Sequence, residues 1–314
     1  MRLELKRRVV HLMGTVIDLS VQHELAEAIL DKVIARLKEY EHRFSANDPS
    51  SELMQVNKNA GIQPVTVHPE LYELIKIGKE HSCAEGSHLN IAIGPLVQTW
   101  RIGFSNARVP YNNEITELLE RTNPKKIVLH DKECSVFLTE PGMLIDLGAL
   151  AKGYIADLII DFLKKAQVTS ALINLGGNLV VLGPSLKPDG NWHIGIQDPL
   201  QSRDDYLAVL KIFNQSVVTS GVYERSLTQD GQTYHHIIDP QTGYPMTTDV
   251  VSLTIISDQS VDGEIWTTRL FGKTADEIIK IVNDLQGMEC MVVTNKEEIF
   301  CSAALEAKIV KQAI

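Results

Sequence analysis

The chain reads as an α+β protein with mixed or antiparallel sheets and flanking helices, on three observations. Residues 23–43, HELAEAILDKVIARLKEYEHR, carry apolar side chains at helical spacing: Leu25, Ala28, Ile29, Val33, Ile34 and Leu37. Residues 170–257 are dominated by short β-branched runs cut by Gly, Pro, Asn and Asp. The two patterns do not alternate regularly along the 314 residues, which argues against a doubly wound parallel sheet.

Residues 7–19, RRVVHLMGTVIDL, read as a strand with a kink at Met13-Gly14, and the helix of 23–43 follows. FSANDPSSEL is a turn in which Ser50 or Ser51 can cap a short helix, ELMQVNKNAG, that Gly61 ends. Residues 69–84 are amphipathic, and Gly94-Pro95 suits the start of a helical turn. Residues 125–139 look like a hairpin; GMLIDLGALAKGYIADLIIDFLKKAQ then reads as strand, glycine turn and a helix over 149–165. Strands are predicted at 170–182, 192–197, 206–213, 216–223, 233–238 and 249–257. Helices within 260–285, strands around 290–300 and a last helix complete the chain. No low-complexity linker, charge block or fixed repeat divides it.

Hydrophobic residues make up 44% and charged residues 22%, enough for a real core. A net charge of -10 argues against a nucleic-acid partner, because a phosphate backbone selects a basic face. Cys83, Cys134, Cys290 and Cys301 are far apart without a CxxC, so they read as reduced thiols rather than a disulfide frame or zinc site. The basic N-terminus lacks an apolar core and a cleavage site, and no stretch approaches the ~20 apolar residues of a membrane helix. The expectation is a cytoplasmic protein without membrane insertion.

Five stretches could carry chemistry. In IDLGALAKGYIAD, Asp146 and Gly148 precede a helix with Lys152 in its first turn, which suits phosphate but equally fits a capped helix with a solvated lysine. INLGGN breaks a buried strand at Gly176-Gly177, by a bulge, a close approach or a plain turn. Thr219, Ser220 and Gly221 interrupt a strand with small polar donors, as a simple turn also would. In YHHIIDPQTGYP, His236 stands at a strand end where a proton carrier could work near neutral pH, with His235 as its outward neighbour and Asp239 capping the turn. In SVDGEIWTTRLFG, Asp262, Glu264, Thr267 and Thr268 put hard oxygen donors at a helix start, which suits magnesium better than zinc.

In order, LMGTVIDL, FSANDPSSEL, NIAIGPLVQTW, IDLGALAKGY, INLGGN, VVTSGVYER, HHIIDPQTGYP and DGEIWTTRLFG resemble the ApbE-type FAD:protein FMN transferases, from about Met13 to Gly272. The resemblance implies one domain over 1–314, or two closely packed lobes with the FAD site between them. It implies magnesium-dependent cleavage of FAD, release of AMP, and transfer of FMN to a threonine of an acceptor protein. A FAD carrier or a FAD pyrophosphatase are the alternatives. It points to His236 as general base and to Asp262 as its catalytic partner, and to Ala149, Asp262 and Thr267 or Thr268 around the metal. Met13, Gly14, Asn47, Lys152, Gly176, Gly177, Thr219, Ser220, Gly221 and His236 are the expected FAD contacts. Asn47 stands where many relatives carry an aromatic ring, Asn90 where many carry an aspartate, and Trp266 where the metal motif usually has its threonine.

Overall fold

The computed structural model describes residues 4–199, 201 and 205–312. In chain order the elements begin with β1 (Leu5–Leu12), β2 (Thr15–Gln22), α1 (Ala26–Phe44), α2 (Glu52–Lys58), β3 (Val65–Thr66), α3 (Pro69–Cys83), α4 (Gly94–Trp100) and α5 (Asn112–Leu119). There follow β4 (Ile127–His130), β5 (Ser135–Leu138), α6 (Ala151–Lys165), β6 (Ser170–Leu175), β7 (Asn178–Leu182), β8 (Trp192–Gln197), β9 (Tyr206–Ile212) and β10 (Ser216–Gly221). The last are β11 (Ser226–Gln229), β12 (Gln232–His235), β13 (Val250–Ser257), α7 (Ser260–Leu270), α8 (Ala275–Asn283), β14 (Glu289–Thr294), β15 (Ile299–Cys301) and β16 (Ile309–Gln312).

The centre is an eight-stranded sheet, β1-β2-β6-β7-β10-β13-β14-β15, antiparallel at every pairing. The α+β expectation holds. Strand alternation explains the two layers beside it. Ile17, Leu19, Ile173 and Val180 face α1 and α6, whereas Val181, Val217, Ile256 and Met291 face a small sheet of β8, β9 and β16. The pair β11–β12 forms a separate polar hairpin, and β3, β4 and β5 form a third small sheet.

Several boundaries differ from the sequence reading. Residues 7–19 are two strands: Met13 and Gly14 both have positive φ, 54° and 68°, and close a two-residue hairpin between them. The apolar alternation runs through that turn and conceals it. The helices expected within 260–285 are present as two, parted at Gly272 (φ 102°) and restarted by a Thr274–Glu277 capping box. The expected last helix is a 3₁₀ turn, Leu305–Lys308, followed by β16, which pairs with β9. Helix α5, eight residues long, was not foreseen. Ser51, not Ser50, caps α2: its hydroxyl accepts the Met54 N–H at 3.0 Å.

Register brings the distant motifs together. Because Ile17 pairs with Leu175 and Asn178 with Val218, the Met13-Gly14 turn, the Gly176-Gly177 turn and Thr219–Gly221 all lie at one end of the sheet. Helix α6 leads into the opposite end of β6, so its N-terminus and Lys152 lie at that same end. Ser257 pairs with Ser216, so α7 starts at the far end and runs back towards the motifs.

Candidate active site

His236 follows β12 and is held by one backbone oxygen. Its N–H donates to the Arg225 carbonyl at 3.2 Å, and its Nδ1 lies 3.3 Å from the same oxygen. A carbonyl only accepts, so Nδ1 carries the hydrogen and Nε2 keeps its lone pair. Burial, then the Arg225 guanidinium, with His235 and Lys152 adding to it, lowers the ring's pKa to about 4, so it is neutral at ordinary pH. His235, the expected outward neighbour, is half-buried, and its Nε2 lies 2.9 Å from the Met246 carbonyl. The following turn is braced by Asp239, which accepts the Gln241 N–H at 2.8 Å and the Thr242 hydroxyl at 3.0 Å. Trp100 Nε1 donates to the Gly243 carbonyl at 2.9 Å and ties that turn to α4.

A second group forms where α6 meets α7. Glu264 is only 5% exposed, and its carboxylate accepts from Asn178 Nδ2 at 2.9 Å and from the Gly153 N–H. Burial raises its pKa, while the Lys152 ammonium and these hydrogen bonds pull it down. Asn178 also accepts the Ser260 hydroxyl at 2.7 Å, which locks β7 to the start of α7.

The two acidic residues of α7 divide. Asp262 lies near Asp258 and Asp157: burial and then the Asp258 charge raise its pKa, and its own charge adds to the larger effect of burial on Asp157. Asp157 caps α7 by accepting the Ser260 and Val261 N–H groups at 2.8 and 2.9 Å, and its pKa is pushed up to about 6. Glu264 instead faces Lys152 and the glycine-rich turns. Thr267 is fully buried, and its hydroxyl donates to the Glu264 carbonyl at 3.1 Å. Thr268, half-buried, sits one turn after Glu264 on the same helix side. Ala149, in the turn before α6, has a carbonyl that accepts no hydrogen bond among the described residues.

The remaining expected contacts sit as follows. The Met13 N–H donates to Glu41 at 2.5 Å, and Gly14 is open to solvent. Gly176 packs on Thr15, where an added Cβ would come 2.1 Å from the hydroxyl, while Gly177 is open and its N–H donates to Asn174 at 2.9 Å. Thr219 and Ser220 point to opposite faces of β10. Thr219 pairs its hydroxyl with Thr254 at 2.8 Å on the side of the small sheet; Ser220 shares the helix side with Val218. Gly221 is buried against the Tyr223 ring.

Asn47 lines a cavity of about 320 Å³ together with Ala46, Met54, Gln98, Arg101 and Asp146. Its side-chain oxygen accepts from Gln98 Nε2 at 3.3 Å. Asp146 accepts the Gly148 N–H at 2.7 Å; burial raises its pKa and the Arg225 guanidinium opposes that rise. Arg225 therefore stands electrostatically between this cavity and His236.

The family model described as the ApbE family matches residues 13–292. The chain belongs to the ApbE family. It is 42% identical, over 93% of its own length and 90% of the relative's, to an FAD:protein FMN transferase from Klebsiella pneumoniae (strain 342). An FAD:protein FMN transferase from Treponema pallidum (strain Nichols) is 33% identical over 90% of this chain and 81% of that protein. The crystal structure of the ApbE protein from Thermotoga maritima matches with a TM-score of 0.89 at 27% identity, covering 98% of this chain and all of that one. In this ApbE-family chain, Asn178 and Arg225 are polar groups of the site that the sequence reading missed, and Glu264 is one that it named among the oxygen donors but did not choose as a metal ligand. Asn178 directly follows the Gly-Gly pair, Arg225 ends VVTSGVYER, and Glu264 stands four residues before Thr268; those were the signals available. Among the described residues no three His, Cys, Asp or Glu side chains converge as a metal cage, and no helix is long and apolar enough to cross a membrane.

Proposed function

We propose that this chain is an FAD:protein FMN transferase acting on a threonine hydroxyl of an acceptor flavoprotein. The observation that carries this reading is a neutral imidazole, with Nε2 free as base, flanked by the cations of Lys152 and Arg225. An alcohol is inert until it loses its proton, and a split diphosphate develops negative charge. The chain's own groups meet both needs. Nε2 of His236 takes the threonine proton; the threonine oxygen bonds to the FMN phosphorus; the bridging P–O bond breaks, and AMP leaves with the electron pair. Lys152 and the open backbone at Gly177 receive the phosphates, and the cavity beside Asn47 receives one of the ring systems.

The donor set fits magnesium. A carboxylate, a hydroxyl and a backbone carbonyl suit an ion that keeps waters and substrate phosphate oxygens in its shell. Glu264, Thr268 and the Ala149 carbonyl would hold it, and Asp262 with Thr267 is the second pair to test. When bound, the ion supplies charge neutralisation for the diphosphate.

The test is incubation with FAD, Mg²⁺ and a threonine-containing acceptor peptide, read by mass spectrometry. A flavin-sized gain on the peptide is expected, and His236→Ala should retain FAD binding but lose the gain. Free FMN with AMP and an unmodified peptide would identify a pyrophosphatase instead, and intact FAD a carrier.

A further inference from the structure

Arg225 stands apart from the other arginines around it. Arg43 and Arg108 are paired with carboxylates, and Arg101 bonds Gln98 and Asn106. The Arg225 guanidinium is exposed and has no hydrogen-bond or ion-pair partner among the described residues. Yet its position is defined at two points. Its carbonyl receives both donors of His236, at 3.2 and 3.3 Å. Its stem lies over Gly103, where an added Cβ would come 2.8 Å from Cδ and 3.3 Å from Cγ. Gly103 itself has φ 91°, so that residue meets both the space and the backbone angle required. Its charge reaches Asp146, which lines the cavity, and opposes the rise that burial gives that carboxyl's pKa.

An unpaired guanidinium, held by its stem on the residue whose carbonyl anchors the base, matches the two non-bridging oxygens of a phosphate through its planar fork. We infer that Arg225 is the clamp on the dinucleotide's diphosphate, and that one residue thereby sets the scissile phosphorus in register with Nε2 of the base that its own carbonyl holds. This rests on the reading of FAD as substrate. Substitution of the side chain leaves the carbonyl in place, so the base keeps its anchor while the charge is removed.

The experiment compares FAD and riboflavin binding, by calorimetry, to the wild-type chain, Arg225→Ala and Arg225→Lys, with transfer to the acceptor peptide measured in parallel. Arg225→Ala should weaken FAD binding roughly ten- to hundredfold, the value of a charge-assisted hydrogen bond, and leave riboflavin, which has no phosphate, unaffected. It should also flatten the salt dependence of FAD binding, and lysine should restore the charge effect but only part of the affinity. Unchanged FAD affinity in Arg225→Ala overturns the clamp, as does an equal loss for riboflavin. A wild-type chain that binds FAD through Arg225 but transfers nothing sinks the transferase reading alone; one that binds no FAD sinks both.

Discussion

At the scale of the residue, His236 has its proton affinity set by its surroundings. The ring's ordinary value of 6.5 falls to about 4 because the half-buried ring is desolvated beside cations. The kcat/KM profile for FAD, which reports the free enzyme, should therefore lose its acid side near pH 4 and show no inflection near 6.5. An inflection at 6.5 would show a solvated ring and remove the argument for a preset base. The same shift has a stability consequence of fixed sign. Between pH 6.5 and about 4 the unfolded chain takes up a proton that the folded ring refuses, so acid lowers stability across that window. The acidic residues of α7 make the second residue-scale case. Glu264→Gln should raise the Mg²⁺ needed for half-maximal transfer about tenfold or more, and Asp262→Asn should leave it nearly unchanged. The reverse outcome in a magnesium titration would return the metal to the Asp262–Thr267 pair.

At the scale of the element, two glycines set α7 in place. On one side a Cβ at Gly153 of α6 would come 2.6 Å from the Ser260 carbonyl and 2.7 Å from Glu264 Cγ. On the other, a Cβ at Gly263 would come 2.6 Å from Val218 Cγ2 of β10. The helix is wedged between α6 and the sheet, and this close approach lets the Gly153 N–H reach Glu264. Gly153→Ala should cost roughly 1–3 kcal/mol by overpacking and should depress transfer by parting Lys152 from Glu264. A variant with unaltered melting and unaltered rate would show that the contact is loose. This also explains what the sequence could disclose. Periodicity locates α1, α3 and α6 to within about three residues, because burial on one face is written locally. The residue types of Lys152, His236 and the Gly-Gly turn are legible for the same reason: each is tied to a local turn or helix start. Which of Asp262 and Glu264 faces the site is not legible, because it depends on the rotation of α7 between α6 and β10, which meet it from distant parts of the chain. The kinked strand at Met13 and the last helix failed for a related reason. A hairpin with unbroken alternation and a strand paired with β9 are both decided by partners distant in sequence or by backbone angle.

At the scale of the whole molecule, the question is whether the chain behaves as one unit. Its 314 residues are enough for two domains. The main sheet argues for one, because neighbouring residues of β13 belong to different clusters: Ile255 packs with α7 and α8, and Ile256 with the small sheet. Loss of β13 would expose both at once. The cluster of Leu96, Trp100, Ile102, Ile115 and Ile238 lies off the sheet, under α4, α5 and the His236 turn, and it is the part most able to separate. It is nevertheless tied across the chain by the bond from Trp100 to Gly243. The three tryptophans report on these regions separately: Trp100 on the outlying cluster, Trp192 on the small-sheet face, and Trp266 on the helix face. Guanidinium unfolding followed by fluorescence of single-tryptophan variants and by far-ultraviolet circular dichroism should give coincident midpoints. An earlier midpoint for the Trp100 reporter alone would mean that the wall carrying the His236 turn opens before the sheet does. The chain would then be two lobes, with the base on the weaker one.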